Sequence, residues 1–138
     1  MAPTTPQRWT VADSLETYAI RQWGAGYFGI NERGNVCVHP GGSGSPSFDL
    51  KELVDEVRRR GIGLPLLLRF TDVLRDRVVH LNEAFKKTIA EHGYKGAYAG
   101  VYPIKVNQHR FVVEQIVDAG RPYGYGLEAG SKPELLAV

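Results

Sequence analysis

Cysteine is almost missing from this sequence: Cys37 stands alone. A single thiol can form neither an internal disulfide nor a cysteine-based zinc site, and such usage suits a reducing compartment. Long apolar runs are missing too, with nothing near the ~20 consecutive residues that a bilayer span needs. The start, MAPTTPQRWT, has no basic stretch followed by an apolar core. No secretory signal is read there, and a cytoplasmic location without a membrane partner is expected. Charge of one sign is also lacking, since 17 basic and 15 acidic residues leave a net +2. That balance supplies no concentrated basic face, so no nucleic-acid partner is expected. What is plentiful is glycine, 16 in 138 residues. There is no Gly-X-Y period, so the surplus belongs to turns and close backbone approaches. Hydrophobic residues at 43% and charged residues at 23% are ordinary globular usage and exclude a wholly disordered chain.

The first half reads as a small α/β lobe, residues 1–63. Residues 1–9 are rich in Pro and Thr and are expected to fray. Thr10 and Asp13 form a capping pair ahead of Leu15, Tyr18, Ala19 and Trp23, which recur at helical spacing up to Gly24. Tyr27–Ile30 and Val36–His39 are short β-like runs joined by a turn at 31–35. PGGSGSPS, residues 40–47, is glycine-rich. It has no lysine and its prolines interrupt the turn, so it reads as a surface linker and not as a phosphate loop. Asp49 and Glu52 cap a helix with the stripe Leu50, Leu53, Val54 and Val57, closed by Gly61. Arg58, Arg59 and Arg60 complement the negative end of that helix.

Residues 64–138 alternate more regularly. Leu64–Phe70 reads as a buried strand. A long helix starts at Thr71 or Asp72, with Leu74, Val78, Leu81, Phe85 and Ile89 on one face and Gly93 as its stop. Ala97–Asn107 is a second strand and Phe111–Ala119 a helix burying Val112, Val113, Ile116 and Val117. Tyr123–Glu128 is a third strand, and Ser131 with Glu134 opens a last helix as a capping box. This β-α-β-α-β-α order predicts parallel strands with right-handed crossovers. Three strands cannot close a barrel, which takes eight strands and roughly 250 residues. The last helix stops after about one turn, so the chain is expected to be a fragment or a truncated product.

Chemistry concentrates in Val101-Tyr102-Pro103-Ile104-Lys105-Val106-Asn107-Gln108. Alternation along a strand puts Tyr102, Ile104 and Val106 on one face and Pro103, Lys105 and Asn107 on the other. A desolvated lysine amine is a nucleophile toward carbonyls. Barrel enzymes build their sites at the C-terminal ends of strands, where Lys105 falls. The plainer alternative is a lysine protecting a solvated edge strand.

YPIKVNQ resembles the lysine motif of the biosynthetic arginine decarboxylases, pyridoxal phosphate enzymes of the alanine racemase-like fold class. RQWGAGYFGINERGNVCVHP resembles the family's N-terminal segment. LLLRFTDVLRDRVVHLNEAFKKTIAEHGY is similar to the strand and helix before its lysine strand, and GLEAGSKPELLAV to the strand and helix start after it. The resemblance covers almost the whole chain after about residue 9, as the N-terminal portion of the family. It implies an α/β fold in which residues 64–138 begin a (β/α)8 barrel, still incomplete here. It implies that Lys105 holds pyridoxal phosphate as a Schiff base. It further implies that L-arginine loses carbon dioxide to give agmatine, a polyamine precursor. Magnesium and homo-oligomeric assembly of the full-length enzyme come with the resemblance alone. The family's phosphate-binding loop, ring-stacking His, acidic partner of the ring nitrogen and proton-donating Cys have no counterpart here. Cys37 is not promoted to that last role. The fragment alone is therefore expected to be inactive.

Glu128 and Ser131, at the end of the next strand, are further candidates for the same cofactor-binding mouth. Ser131 also has a capping job. His39, His80, His92 and His109 lack metal-ligand spacing, so no metal ligand is assigned. Asp72, Asp76 and Glu83 read as an exposed helix face. Two other readings stay open at this point. One is a decarboxylase of the same fold acting on ornithine or diaminopimelate. The other is a stand-alone, non-enzymatic interaction module.

Overall fold

The fold was obtained as a computed structural model, and residues 8–138 are described. The Pro- and Thr-rich start expected to fray falls mostly outside the described residues. The chain divides into two compact units, Met1–Leu68 and Arg69–Val138.

The first unit opens with α1 (Val11–Thr17). Thr10 Oγ1 accepts from the Asp13 amide, and the Asp13 carboxylate accepts from the Thr10 amide, a complete capping box. The single helix expected through Trp23 is broken. Ala19 takes a left-handed conformation at φ 49°, and α2 (Ile20–Gly24) starts afresh before Ala25, which is left-handed again at φ 48°. Nothing in the apolar spacing marks this break, because alanine is a poor candidate for φ > 0. Across the break the Trp23 indole donates to the Tyr18 carbonyl at 3.0 Å, a local bond that satisfies the end of α1.

β1 (Phe28–Ile30) and β2 (Val36–Val38) form the expected antiparallel hairpin, with Gly34 at φ +80° in its turn. β3 (Phe48–Asp49) adds a third strand antiparallel to β2. Sequence reading misses it because two residues carry no alternation. α3 (Leu50–Arg59) follows at once, with the Asp49 side chain accepting from the Lys51 and Glu52 amides. Ile20, Tyr27, Cys37 and Val38 are the buried centre of this unit.

Residues 64–70, expected as a strand, start with a bend at Leu64 and Pro65 and pair with no described strand. Burial still alternates: Leu66, Leu68 and Phe70 are half-buried, while Leu64, Leu67 and Arg69 are exposed. The pattern fits a strand, but without a partner no ladder forms.

The second unit begins with α4 (Thr71–Glu91). Val78 and Asn82 are its buried residues, whereas Leu81 and Phe85 of the expected stripe are exposed. Asn82 fits in an apolar place because its amide donates to the Val78 carbonyl at 2.7 Å. β4 (Val101–Pro103) leads through α5 (Arg110–Gly120) and a tight helical turn at Arg121–Tyr123 to β5 (Gly126–Glu128). β4 and β5 pair in parallel, Val101 with Gly126 and Pro103 with Glu128. Val78, Val112, Ile116 and Ala119 form the core, rimmed by Leu74, Tyr102 and Tyr125. α6 (Lys132–Ala137) ends the chain.

The expected strands over 97–107 and 123–128 are thus cut to three residues each. For the first the reason is local. The Val106 amide donates to the Pro103 carbonyl at 3.1 Å, closing a turn across Ile104 and Lys105. Alternation therefore fails where the site lies: Ile104 is 2% exposed and Val106 is 67% exposed.

Candidate functional site

The site is assembled at the C-terminal ends of β4 and β5. The ladder's last bond runs from the Ile104 amide to the Glu128 carbonyl at 3.0 Å. Lys105 comes directly after, in the turn and not in the strand. Its side chain is exposed, and its amine makes no hydrogen bond or ion pair among the described residues. Most lysines placed on helices differ: Lys51, Lys86 and Lys87 face Asp55, Glu83 and Glu91 respectively.

The turn is held on both flanks. Tyr102 Oη donates to the Asn107 carbonyl at 3.4 Å. Asn107 Oδ1 accepts from the His109 amide at 3.0 Å, and His109 is the residue before α5. In the sequence, Tyr102 and Asn107 stand out only as part of the YPIKVNQ wording. A reading of the segment as one long strand hides their spacing across a turn.

The next strand end carries Glu128, half-buried, whose carboxylate makes no hydrogen bond or ion pair among the described residues. Ser131 caps α6 by accepting from the Glu134 amide at 3.4 Å. The Glu134 carboxylate reaches one residue beyond the expected box and accepts from the Gly130 amide at 2.7 Å. Glu128 Oε1 and Glu134 Oε2 flank Gly130, each 3.6 Å from where a β-carbon would stand. One carboxylate, Glu128, and one free amine, Lys105, thus belong to neighbouring strand ends, with the Glu134 carboxylate reaching back from α6.

Behind the strands, Tyr125 packs over Gly100 and Gly120, and burial pushes its phenol pKa up, with Tyr98 and Tyr102 adding to the effect. Ahead of β4, Phe85 and Tyr98 stack with ring centres 4.0 Å apart.

The remaining sequence candidates stay away from this mouth. His80 and His92 hydrogen-bond to the carbonyls of Asp76 and Thr88 on their own helix. His39 lies between Cys37 Sγ at 3.6 Å and the Ser45 carbonyl at 3.3 Å, within the first unit. Among the described residues no group of three or more His, Cys, Asp or Glu could hold a metal ion. No helix among them is long and apolar enough to cross a membrane.

Comparison with known proteins agrees with these elements. No family model matches the chain. A biosynthetic arginine decarboxylase of Gloeobacter violaceus is 54% identical over 130 residues, covering 94% of this chain and 20% of the relative. One of Pseudomonas putida is 57% identical over 131 residues, covering 95% and 20%. The crystal structure of the biosynthetic arginine decarboxylase of Campylobacter jejuni superposes with a TM-score of 0.74 at 41% identity, covering 86% of this chain and 20% of that one. Over nearly its whole length the chain is similar to one segment of these biosynthetic arginine decarboxylases. It spans about a fifth of the length of the curated relatives it matches. Within that family segment, the free amine of Lys105 fits a cofactor that is held through an aldehyde, since no described residue neutralises or occupies it.

Proposed function

We propose that this chain carries the cofactor lysine of a pyridoxal phosphate-dependent arginine decarboxylase, and that Lys105 is that lysine. The observation that carries the reading is an exposed, unpartnered amine in a turn at the C-terminal end of a parallel strand, in a chain similar throughout to arginine decarboxylases. Active sites of (β/α)8 barrels lie at that end of their strands. The β4–α5–β5 unit is read as the opening of such a barrel.

Each residue has its own share of the work. Lys105 binds the cofactor through its amine and fixes where the aldehyde carbon sits. The backbone bond from Ile104 to Glu128 holds the two strand ends together. Glu128 brings a carboxylate to the neighbouring strand end, where it is a candidate for lining the cofactor mouth. Ser131 serves mainly as the helix cap that fixes the loop after Glu128. When bound, pyridoxal phosphate supplies the sink for the electron pair left when carbon dioxide departs. L-arginine as substrate, agmatine as product, a role in polyamine formation, a cytoplasmic setting and assembly of the full-length enzyme into homo-oligomers complete the proposal.

The test is covalent trapping. The protein is incubated with pyridoxal phosphate and reduced with borohydride, and its peptides are mapped by mass. The pyridoxyl group is expected on Lys105. Lys105→Arg keeps the charge but removes the primary amine, so in the complete enzyme turnover should collapse by several orders of magnitude while folding survives. A label that favours another lysine over Lys105, or near-normal turnover by that variant, refutes the assignment. The 138-residue chain alone is expected to release no agmatine, and measurable release would overturn that expectation.

A further inference from the structure

The turn that bears Lys105 is closed by more than its own hydrogen bond. From Pro103 to Val106 a single backbone bond defines it, at 3.1 Å. On the strand side stands Tyr102, whose ring rims the Val78–Val112–Ile116–Ala119 core while its hydroxyl reaches the Asn107 carbonyl. On the helix side, α5 has no capping bond from the side chain of His109. Asn107 supplies an acceptor there instead, taking the His109 amide on Oδ1 at 3.0 Å. One residue, Asn107, therefore receives the strand's tyrosine through its main chain and holds the approach to the helix through its side chain. Lys105 lies between the two anchor points. An exposed lysine on an unanchored loop would sample many placements of its amine, whereas a turn pinned at both flanks restricts where the side chain starts.

We propose that Tyr102 and Asn107 are positioning residues that clamp the Lys105 turn and so set the reach of its amine toward an aldehyde cofactor. The inference rests on the reading of Lys105 as cofactor lysine and adds two residues that act through it. Neither touches the cofactor in this proposal. In the capture reaction the Lys105 amine adds to the aldehyde carbon and water leaves; borohydride then delivers hydride to the resulting carbon–nitrogen double bond, and the label becomes permanent.

Three variants test it in the whole chain: Tyr102→Phe, which removes only the hydroxyl, Asn107→Ala, which removes the Oδ1 acceptor, and Asn107→Asp, which keeps it. Amide hydrogen exchange over residues 104–109 of the cofactor-free protein is measured first. The first two variants should exchange faster and Asn107→Asp should match the parent. The probe is then pyridoxal phosphate itself, trapped with borohydride. The label on Lys105 is expressed relative to Lys95 and Lys132 of the same molecule, which correct for overall reactivity. The Lys105 share is expected to fall by about threefold in Tyr102→Phe and Asn107→Ala, the scale of losing one immobilised side chain, and to be restored in Asn107→Asp. Faster exchange with an unchanged Lys105 share overturns the proposal, because the clamp then serves the fold alone. Unchanged exchange overturns it as well, because the turn then needs no clamp. A parent chain that takes no label on Lys105 refutes the cofactor reading itself, and the positioning role with it.

Discussion

Asp49 shows how much one side chain can organise. Its carboxylate accepts from the Asn31 amide at 2.8 Å, the Asn35 amide at 2.9 Å and Arg33 at 2.7 Å, and from the backbone of Lys51 and Glu52 at 2.9 and 3.2 Å. These bonds, led by that from Asn35, lower its pKa to about 2. A carboxylate whose pKa is depressed on folding contributes stability that is complete above its unfolded value, roughly 3.9, and is lost as pH falls through the folded value. The first unit should therefore lose stability between about pH 4 and pH 2 as Asp49 takes up a proton. Melting temperature against pH, for the parent and Asp49→Asn, checks this. The variant should melt lower at neutral pH and show a flatter acid limb; equal acid slopes would show that Asp49 is not the group responsible. In the sequence, Asp49 is legible as a helix cap because capping is local. Its bonds to the hairpin turn are not, because Asn31, Arg33 and Asn35 are common turn residues whatever lies opposite them.

At the scale of elements, the second unit depends on glycines that let Tyr125 lie flat against the backbone. A β-carbon on Gly120 would stand 2.3 Å from Tyr125 Cβ, and one on Gly100 would stand 2.2 Å from its ring. The sequence marks Gly120 only as a helix stop, yet it closes α5 as a buried residue and makes room for the strand after it. Gly120→Ala should destabilise the unit by about 1–3 kcal/mol through overpacking, measured by urea unfolding. Gly130→Ala, whose β-carbon would meet only ordinary contacts at 3.6 Å, should cost much less. A larger loss at Gly130 than at Gly120 would refute the packing argument. Helix α4 and the parallel pairing of β4 with β5 are legible from apolar period and from alternation of element types. Strand ends are not, since the turn at Pro103–Val106 uses Ile and Val, residues that by propensity favour strands. The segment at 64–70 shows the complement: its alternation survives in burial, but a strand is defined by a partner and the described residues offer none.

The whole molecule leaves large apolar side chains in water: Leu67, Val106, Leu135 and Leu136 are all exposed, Leu136 at 89%. Among the described residues the two-stranded β4–β5 sheet also presents two unpaired edges. Exposed apolar surface and open edges together favour self-association. Sedimentation of the isolated chain should show average mass rising with protein concentration, and Leu136→Lys with Leu67→Lys should reduce the rise; a strictly constant mass would contradict this. The short-range pairing of the strands has a separate consequence, in time. β1, β2 and β3 pair as neighbours along the chain, and β4 reaches β5 across only one helix, so every described ladder joins segments close in sequence. Closing short loops costs little entropy, and chains dominated by such local contacts cross their folding barrier quickly. Rapid-mixing refolding should therefore show the antiparallel hairpin of the first unit recovering ahead of the parallel β4–α5–β5 crossover, and simultaneous recovery would contradict this.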